Sequence, residues 1–387
     1  MSKIGDLVEQ YCPNGVEYYT LGEVCSFKKG QSITSKDIVK GNIPVIAGGK
    51  SPAYYHNKAN RFGETVAVSS SGAYAGFVSY WSIPVFLSDS FSVEPKDILL
   101  TKYLYYFLNN LQDYIYSLKS IGGIPHIYAR NIDKFKIPVP PMPIQQEIVR
   151  ILDKYSEFEN KLEIKLQEEI DTRKKQYEFY RNKLLSFSED VTFIPLSQLC
   201  VRQKGIPITA AEMKLLSKTN GSIRIFAGGN TYVDVNHEDI PQKNIIMRKS
   251  IIVKSRGNIG FEYYDKPFSH KNEMWSYSAI SNMIELKYVY YYLVNNVTYF
   301  QSKAKVGKLP QISTPLTDNY MIPIPYASDI EKSLKEQKRI VKLLDDYTFL
   351  EKELEIKLQE EIDVRKKQYE YYRNNLLTFS PKLKEGD

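Results

Sequence analysis

KLQEEIDTRKKQYEFYRNKLL, residues 165–185, returns as KLQEEIDVRKKQYEYYRNNLL, residues 357–377, 192 positions further along the chain. Taken to its limits the match sets 161–187 on 353–379 without a gap, identical at 22 of 27 positions. The stretch is helical by pattern. Ile148, Ile151, Leu152, Tyr155, Phe158, Leu162, Leu166, Ile170, Tyr177, Tyr180 and Leu184 recur at steps of three and four, and no Pro or Gly stands between Ile144 and Phe187. Steps of four through Leu162, Leu166 and Ile170 read as a stutter, which unwinds a coiled-coil seam locally without ending it. At 1.5 Å per residue such a helix is roughly 65 Å long, too long for one domain to absorb. Its other faces carry balanced Glu and Lys, which suits solvent or a partner protein.

The copy from about 330 to 379 has the same apolar stripe. The two stripes are expected to bury each other as an antiparallel pair, Leu162, Leu166, Ile170, Tyr177 and Leu184 meeting Leu354, Leu358, Ile362, Tyr369 and Leu376. A globular unit at each end of the pair follows from that arrangement. RKKQYE, at Arg173 and again at Arg365, belongs either to a surface shared by both helices or to a plain solvated charge run.

Working outward, the flanking stretches also repeat, though loosely. LGEVCSFKKGQSIT from Leu21 matches LSQLCVRQKGIPIT from Leu196, and IAGGK at Ile46 matches FAGGN at Phe226. KYLYYFLNN from Lys102 matches KYVYYYLVNN from Lys287, GGIPHI from Gly122 matches GKLPQI from Gly307, and KIPVP matches MIPIP. The chain therefore reads as unit, helix, diverged unit, helix. Each unit is mixed α and β: TVAVS at Thr65 and SIIVKS at Ser250 are strand-like, and the Tyr-rich segments after Lys102 and Lys287 are amphipathic helices whose tyrosines are expected in the core.

The 387 residues allow two or three domains, and 43% apolar content makes them globular. No apolar run is long enough for a membrane span, and MSKIGDLVEQ lacks the apolar core of a signal peptide, so a cytoplasmic protein is expected. Cys12, Cys25 and Cys200 form no CxxC pair and are expected as reduced thiols. The net charge of +7 is uneven: Lys and Arg exceed Asp and Glu by 14 to 11 over 1–142 and 16 to 12 over 188–329, but balance at 9 to 9 over 143–187 and 13 to 13 beyond 329. Positive charge confined to the globular units suits a polyanionic partner such as DNA.

GGIPHIYARNIDKFKIPVPPMPIQQEIVRIL from Gly122, and GKLPQISTPLTDNYMIPIP from Gly307 with EQKRIVKLLDDY from Glu336, each lead into a long Lys/Glu helix. In this the chain resembles the specificity subunits of type I restriction-modification systems over essentially its whole length. The resemblance implies target-recognition domains at 1–142 and 189–329, conserved spacer helices at 143–188 and 330–380, and a tail at 381–387. The fold class expected is mixed α/β with a pseudo-two-fold internal repeat. It also implies a subunit without catalysis that reads a split, asymmetric site in double-stranded DNA and holds two methyltransferase subunits and, through them, restriction subunits. S-adenosylmethionine would then belong to the methyltransferase subunit, and ATP and Mg to the restriction subunit, with no cofactor in this chain. One departure is a seven-residue insertion where YASDIEKSLKEQ replaces the compact PMPIQ of PMPIQQ, which bears on how the second helix begins.

Motifs for chemistry are weak. No GxGxxG follows a strand, and GGKS at Gly48 fails as a phosphate loop because its first glycine would fall on Pro44. Asp89, Glu94 and Lys96 stand in a nuclease-like order, but aligning the repeats puts Met274, Ala279 and Ser281 opposite them. His56, His126, His237 and His270 have no ligand or triad spacing. For DNA phosphates, basic residues near glycine turns are the candidates: Lys28, Lys29 and Lys50, then Lys254, Arg256, Lys305 and Lys308. For base edges the candidates are Gln31, Ser70, Ser71 and His126, then Asn258 and Gln311, whose groups match edge donors and acceptors. Ordinary turn polarity is the plainer reading of each singly, and a coiled-coil scaffold that binds only protein is the alternative function.

Overall fold

The computed structural model describes residues 3–120, 123–187, 191–305 and 307–382. Gly122, the domain boundary expected at 188–189 and the tail beyond 382 lie outside the described residues. Packing divides the chain into two units: residues up to Leu166 together with those from Leu358 on, and Gln167–Lys357. The division falls inside both long helices, so each unit combines one globular region with part of each helix.

In the first unit a four-stranded antiparallel sheet runs in the order Cys25–Lys29, Ser90–Pro95, Thr65–Ser69, Val78–Trp81. TVAVS forms an inner strand, and all five of its residues are buried because both faces are covered. Period-two alternation sends Val66 and Val68 into the main core, while Ala67 faces Ile46, Val85 and Leu87 beside a three-stranded sheet of Tyr54–His56, Ile43–Ile46 and Phe86–Leu87. Tyr18–Thr20 pairs with Lys136–Pro138 and closes the unit next to the first long helix. A box at Thr20 starts the turn Leu21–Val24, with Glu23 accepting from the Thr20 backbone N–H at 2.6 Å.

The second unit repeats this plan. Its four-stranded sheet is Cys200–Lys204, Trp275–Ala279, Ser250–Lys254, Gly260–Tyr264, and its three-stranded sheet is Tyr232–Val235, Ile223–Phe226, Phe268–His270. Ile251 and Val253 enter the main core, and Ile252 turns to Phe226 and Phe268. The strand register corrects one sequence alignment. Cys25 faces Pro95 and Cys200 faces Ala279, so Glu94 corresponds to Ser278 and Asp89 to Glu273, one residue from the pairing expected. The slip arose because the repeats differ in loop length just before this strand.

The Tyr-rich segments are helices at Thr101–Asn110 and Leu286–Asn295, each broken before a short second helix. Tyr103, Tyr106, Tyr288 and Tyr291 are buried, as their helical spacing implied. The Tyr103 hydroxyl donates to the Pro138 carbonyl at 3.1 Å and the Tyr288 hydroxyl to the Pro323 carbonyl at 2.7 Å, so each ring carries its polar tip to an acceptor.

The long helices span Met142–Leu184 and Ile330–Leu377. In the first unit Tyr155 stacks on Tyr372 and Lys366 lies 3.7 Å from Glu163. In the second, Lys174 pairs with Glu355 at 2.7 Å and Tyr180 stacks on Tyr347. Within each unit residue numbers on the two helices run in opposite directions, so the segments are antiparallel. Leu162, Leu166, Ile170, Tyr177, Leu184, Leu354, Leu358, Ile362, Tyr369 and Leu376 are all half-buried. The insertion in the second connection lets the second helix start a turn earlier relative to the repeat. Asp329 caps it, accepting from the Lys332 backbone N–H at 3.0 Å, and of the matching glutamines Gln145 lies in the first turn of its helix and Gln337 a turn further into its own.

Candidate nucleic-acid interface

Three loops of the first unit meet at glycine turns. A Cβ on Gly48 would fall 2.3 Å from the Ser71 carbonyl oxygen, so only glycine lets these backbones approach. Gly72, at φ +86, donates its N–H to the Pro125 carbonyl at 3.0 Å, and the Ile127 N–H donates to the Ser70 carbonyl at 2.9 Å. Ser71 and His126 therefore sit opposite each other in a β-bridge. Lys50 extends from the first of these loops with its ammonium 5.2 Å from the Tyr74 ring centre. The structure thus brings Lys50, Ser70, Ser71 and His126 together.

The second unit builds the same clamp from different residues. Gly257, at φ +74, donates its N–H to the Pro310 carbonyl at 2.9 Å, and the Ile312 N–H donates to the Ser255 carbonyl at 3.0 Å. Arg256 and Lys305 both bridge to Gln311. Arg256, Asn258, Lys305, Lys308 and Gln311 are exposed, and none of the three cations has an acidic partner among the described residues. Ser71 in one unit thus corresponds to Arg256 in the other, His126 to Gln311, and Lys50 to Asn230.

Lys28, Lys29 and Gln31 lie apart from the bridge, at the end of the strand Cys25–Lys29. Gln31 donates its backbone N–H to the Leu87 carbonyl, and Ser70 donates its own to the Asp89 carbonyl, so the segment 87–90 stands between the two groups. Lys29 and Gln31 are exposed. Lys28 is held by Glu94 at 2.5 Å, and Lys254 by Glu262 at 2.8 Å and Asn230 at 3.1 Å. Both charges are largely neutralised within the fold. Sequence alone offered no signal for these pairs, because the partners come from neighbouring strands.

The candidate catalytic groups among the described residues are engaged elsewhere in the fold. Glu94 is taken up by Lys28 and by Arg61 at 3.4 Å, and Lys96 donates to the Glu23 carbonyl at 2.6 Å. His270 is fully buried between Ser276 and the Lys271 carbonyl, and burial pulls its pKa down to about 4, so it stays neutral. Burial pushes the Cys25 and Cys200 thiols up to about 12, which removes the thiolate a nucleophile needs. Among the described residues no cluster of His, Cys, Asp and Glu could hold a metal ion, and no helix is long and apolar enough to cross a membrane.

The long helices present a second, repeated surface. Arg173 pairs with Glu169 and reaches Gln176, and Arg365 does the same with Glu361 and Gln368. Along the same helices Phe158, Ile164 and Phe179 are exposed, and so are the residues at the repeated positions, Leu350, Ile356 and Tyr371. Large apolar side chains at matching sites on both helices are unusual for plain solvated faces.

The family model described as the type I restriction modification DNA specificity domain matches residues 13–172 and 188–363. The chain is 27% identical over 417 residues to the type I restriction enzyme EcoR124I/EcoR124II specificity subunit of Escherichia coli, covering 94% of each. It is 24% identical over 326 residues to the type I restriction enzyme MjaVIII specificity subunit of Methanocaldococcus jannaschii, covering 76% of this chain and 74% of that one. Among solved structures it is similar in fold to a chain from a study of complex assembly and conformational transition of the type I R-M system, with TM-score 0.72, 15% identity and coverage of 94% and 98%. The HsdS subunit from Thermoanaerobacter tengcongensis also matches, with TM-score 0.55, 15% identity and coverage of 95% and 97%.

Proposed function

The chain belongs to the type I restriction-modification DNA specificity family and is a non-catalytic DNA sequence-recognition subunit, and on that premise we propose that its two globular regions, at 1–142 and 189–329, each read one half of a split site. The observation that carries this reading is the repeated clamp. One backbone geometry displays Ser71 and His126 in one unit and Arg256 and Gln311 in the other. A shared frame with changed side chains is what two readers of different sequences need.

In this reading Lys29, Lys50, Lys305 and Lys308 contact phosphates and set the register. Gln31, Ser70, Ser71 and His126 address base edges of the first half-site, and Arg256, Asn258 and Gln311 those of the second. We assign Lys28 and Lys254 a lesser share, since each is already paired with a carboxylate, Glu94 and Glu262. Arg256 is moved from phosphate to base contact because it occupies the place of Ser71, beside Gln311. The repeated helix surface around Arg173 and Arg365, with Phe179 and Tyr371, would hold two methyltransferase subunits in equivalent fashion. S-adenosylmethionine, ATP and Mg would act in those and the restriction subunits, in the cytoplasm.

The test is to express the chain with its methyltransferase subunit and map modified adenines across the host genome. An asymmetric motif of two short parts around a fixed gap is expected. Exchange of residues 190–327 for the matching domain of a relative should change one part and leave the other. If both parts change together, the assignment of one half-site to each unit fails.

A further inference from the structure

The tip of each clamp loop carries an exposed apolar residue outside the hydrophobic cores of the described residues. Ile124 is 66% exposed and Leu309 51% exposed, and they occupy the same place in the repeat, directly before Pro125 and Pro310. The two units have diverged elsewhere along this loop: His126 stands against Gln311 and Gly123 against Lys308. A lone exposed Ile or Leu needs no explanation. Two of them at one structural position, each between a glycine or lysine and a proline on a loop whose next apolar side chain, Ile127 or Ile312, is buried, do.

These side chains sit on rigid stubs. The proline that follows confines the backbone of Ile124 and Leu309 to extended conformations. The carbonyls of Pro125 and Pro310 accept from Gly72 and Gly257. Two residues on, Ile127 and Ile312 are buried and anchor the loop. Each apolar tip is therefore held outward beside the residues placed at base edges, His126 and Ser71 in one unit and Gln311 and Arg256 in the other.

We propose that Ile124 and Leu309 are apolar wedges that enter a DNA groove and press against a base, one in each half-site. Their surroundings select DNA as the occupant. Arg256, Lys305 and Lys308 flank Leu309, and Lys50 and His126 share the clamp with Ile124, so the apolar tip is ringed by groups that bind phosphate and base edges. A protein surface would meet that ring as unpaired charge. Contact with a thymine methyl and partial unstacking of a base step both reward an apolar side chain at this point. The proposal rests on the reading that both units bind DNA.

The experiment uses the complex with methyltransferase subunits and duplexes carrying the motif mapped in the host. Ile124→Ser and Leu309→Ser are compared with the parent and with Phe62→Ser, which removes a side chain 73% exposed elsewhere in the first unit. Each tip variant should bind the mapped site at least tenfold more weakly, with unchanged affinity for an unrelated duplex, unchanged subunit composition and unchanged melting temperature. Phe62→Ser should match the parent. Uracil in place of thymine in one half-site should erase the difference between parent and variant if the wedge packs on a methyl. A 2-aminopurine signal present in the parent and absent in the variant should appear if it unstacks a step. Affinity for the site within twofold of the parent in both tip variants would overturn the proposal, as would equal weakening on the unrelated duplex or loss of methyltransferase subunits. A parent complex that shows no salt-dependent preference for the mapped site would instead defeat the DNA-binding reading beneath it.

Discussion

Tyr106 donates its hydroxyl to Asp153 at 2.6 Å, fastening the short helix of the first unit to the first long helix. Lys102, one turn earlier, reaches the other oxygen of the same carboxylate at 2.8 Å. The second unit repeats the arrangement, with Tyr291 and Lys287 on Asp345. Burial and the neighbouring carboxylate both push the two phenols upward, so each remains a donor at any pH the protein meets. Two donors on one carboxylate fix a helix in rotation as well as position. The readers are thereby docked on the helices in the same way twice.

Asp153→Ala should therefore destabilise the first unit and Asp345→Ala the second. Charge-assisted hydrogen bonds are worth about 1.5–3 kcal/mol each when fully buried. These carboxylates are over a third exposed, so the expected cost is nearer about 2 kcal/mol in total. Urea unfolding of each variant measures it. Equal costs are expected, because the two sites have the same chemistry, and a negligible cost at both would show that apolar packing alone docks the readers.

The buried glutamines offer a sharper case. Gln145 accepts from the Leu100 N–H at 2.9 Å and donates to the Ile98 and Pro140 carbonyls, and Gln337 likewise serves Glu285 and Met283. Both are fully buried. Gln145→Leu leaves backbone groups without partners inside the fold, at about 1–3 kcal/mol for each that water does not reach. The melting temperature should fall by more than for Asp153→Ala. Gln145→Glu should fare no better at neutral pH, because a carboxylate cannot donate to two carbonyls.

These docking contacts explain which parts of the fold the sequence made legible. The long helices could be read because nothing in them breaks a helix and because they occur twice. The Tyr-rich helices could be assigned to the core because Tyr103, Tyr106, Tyr288 and Tyr291 fall on one face. The return of the C-terminal segment could not be read: Val16 pairs with Pro381, and Leu377 enters the core of the first unit. Such contacts depend on tertiary closure, to which local periodicity is blind. Likewise the glycine turns near Ser70 and Arg256 were visible, whereas the pairing of Lys28 with Glu94 and the exposure of Ile124 and Leu309 were not.

His270 ties the second unit to pH. Its ring is buried against Ser276 and Phe268, and the hydrogen bond to the Lys271 carbonyl and the charge of Glu273 only partly offset that burial. The unfolded chain takes up a proton near pH 6.5 and the folded chain only near 4, so stability is lost as pH falls through that window. At about 1.36 kcal/mol per unit the loss approaches about 3 kcal/mol. His270→Gln should flatten the dependence between pH 7 and 4.5. With Trp81 replaced by Phe, the fluorescence of buried Trp275 reports this unit, and an unchanged slope would show that His270 is not its source.

The last prediction concerns a fragment ending at Ser188. The first unit needs the end of the second long helix: Arg373 donates to Asn109 and Asn110, Leu377 lies in the core, and Tyr369, Leu376 and Phe379 pack against it. The fragment lacks all five residues but carries their equals, Arg181, Leu185, Tyr177, Leu184 and Phe187, each of the same type. In the full chain Arg181 already makes the matching bond, to Asn295 at 2.8 Å, and Leu185 lies in the matching core. A second copy can therefore supply what the first has lost, and the exchange is reciprocal, which closes a symmetric dimer. Light scattering should give twice the chain mass. With the methyltransferase subunit present, a two-fold protein should direct modification to a palindrome built from the first half-site, because both readers are then the same. Arg181→Ala should weaken this dimer while leaving the full chain's first unit untouched. A folded monomer, or methylation still directed to the asymmetric motif, would mean that the near-identity of the two helices does not extend to the contacts that complete a unit.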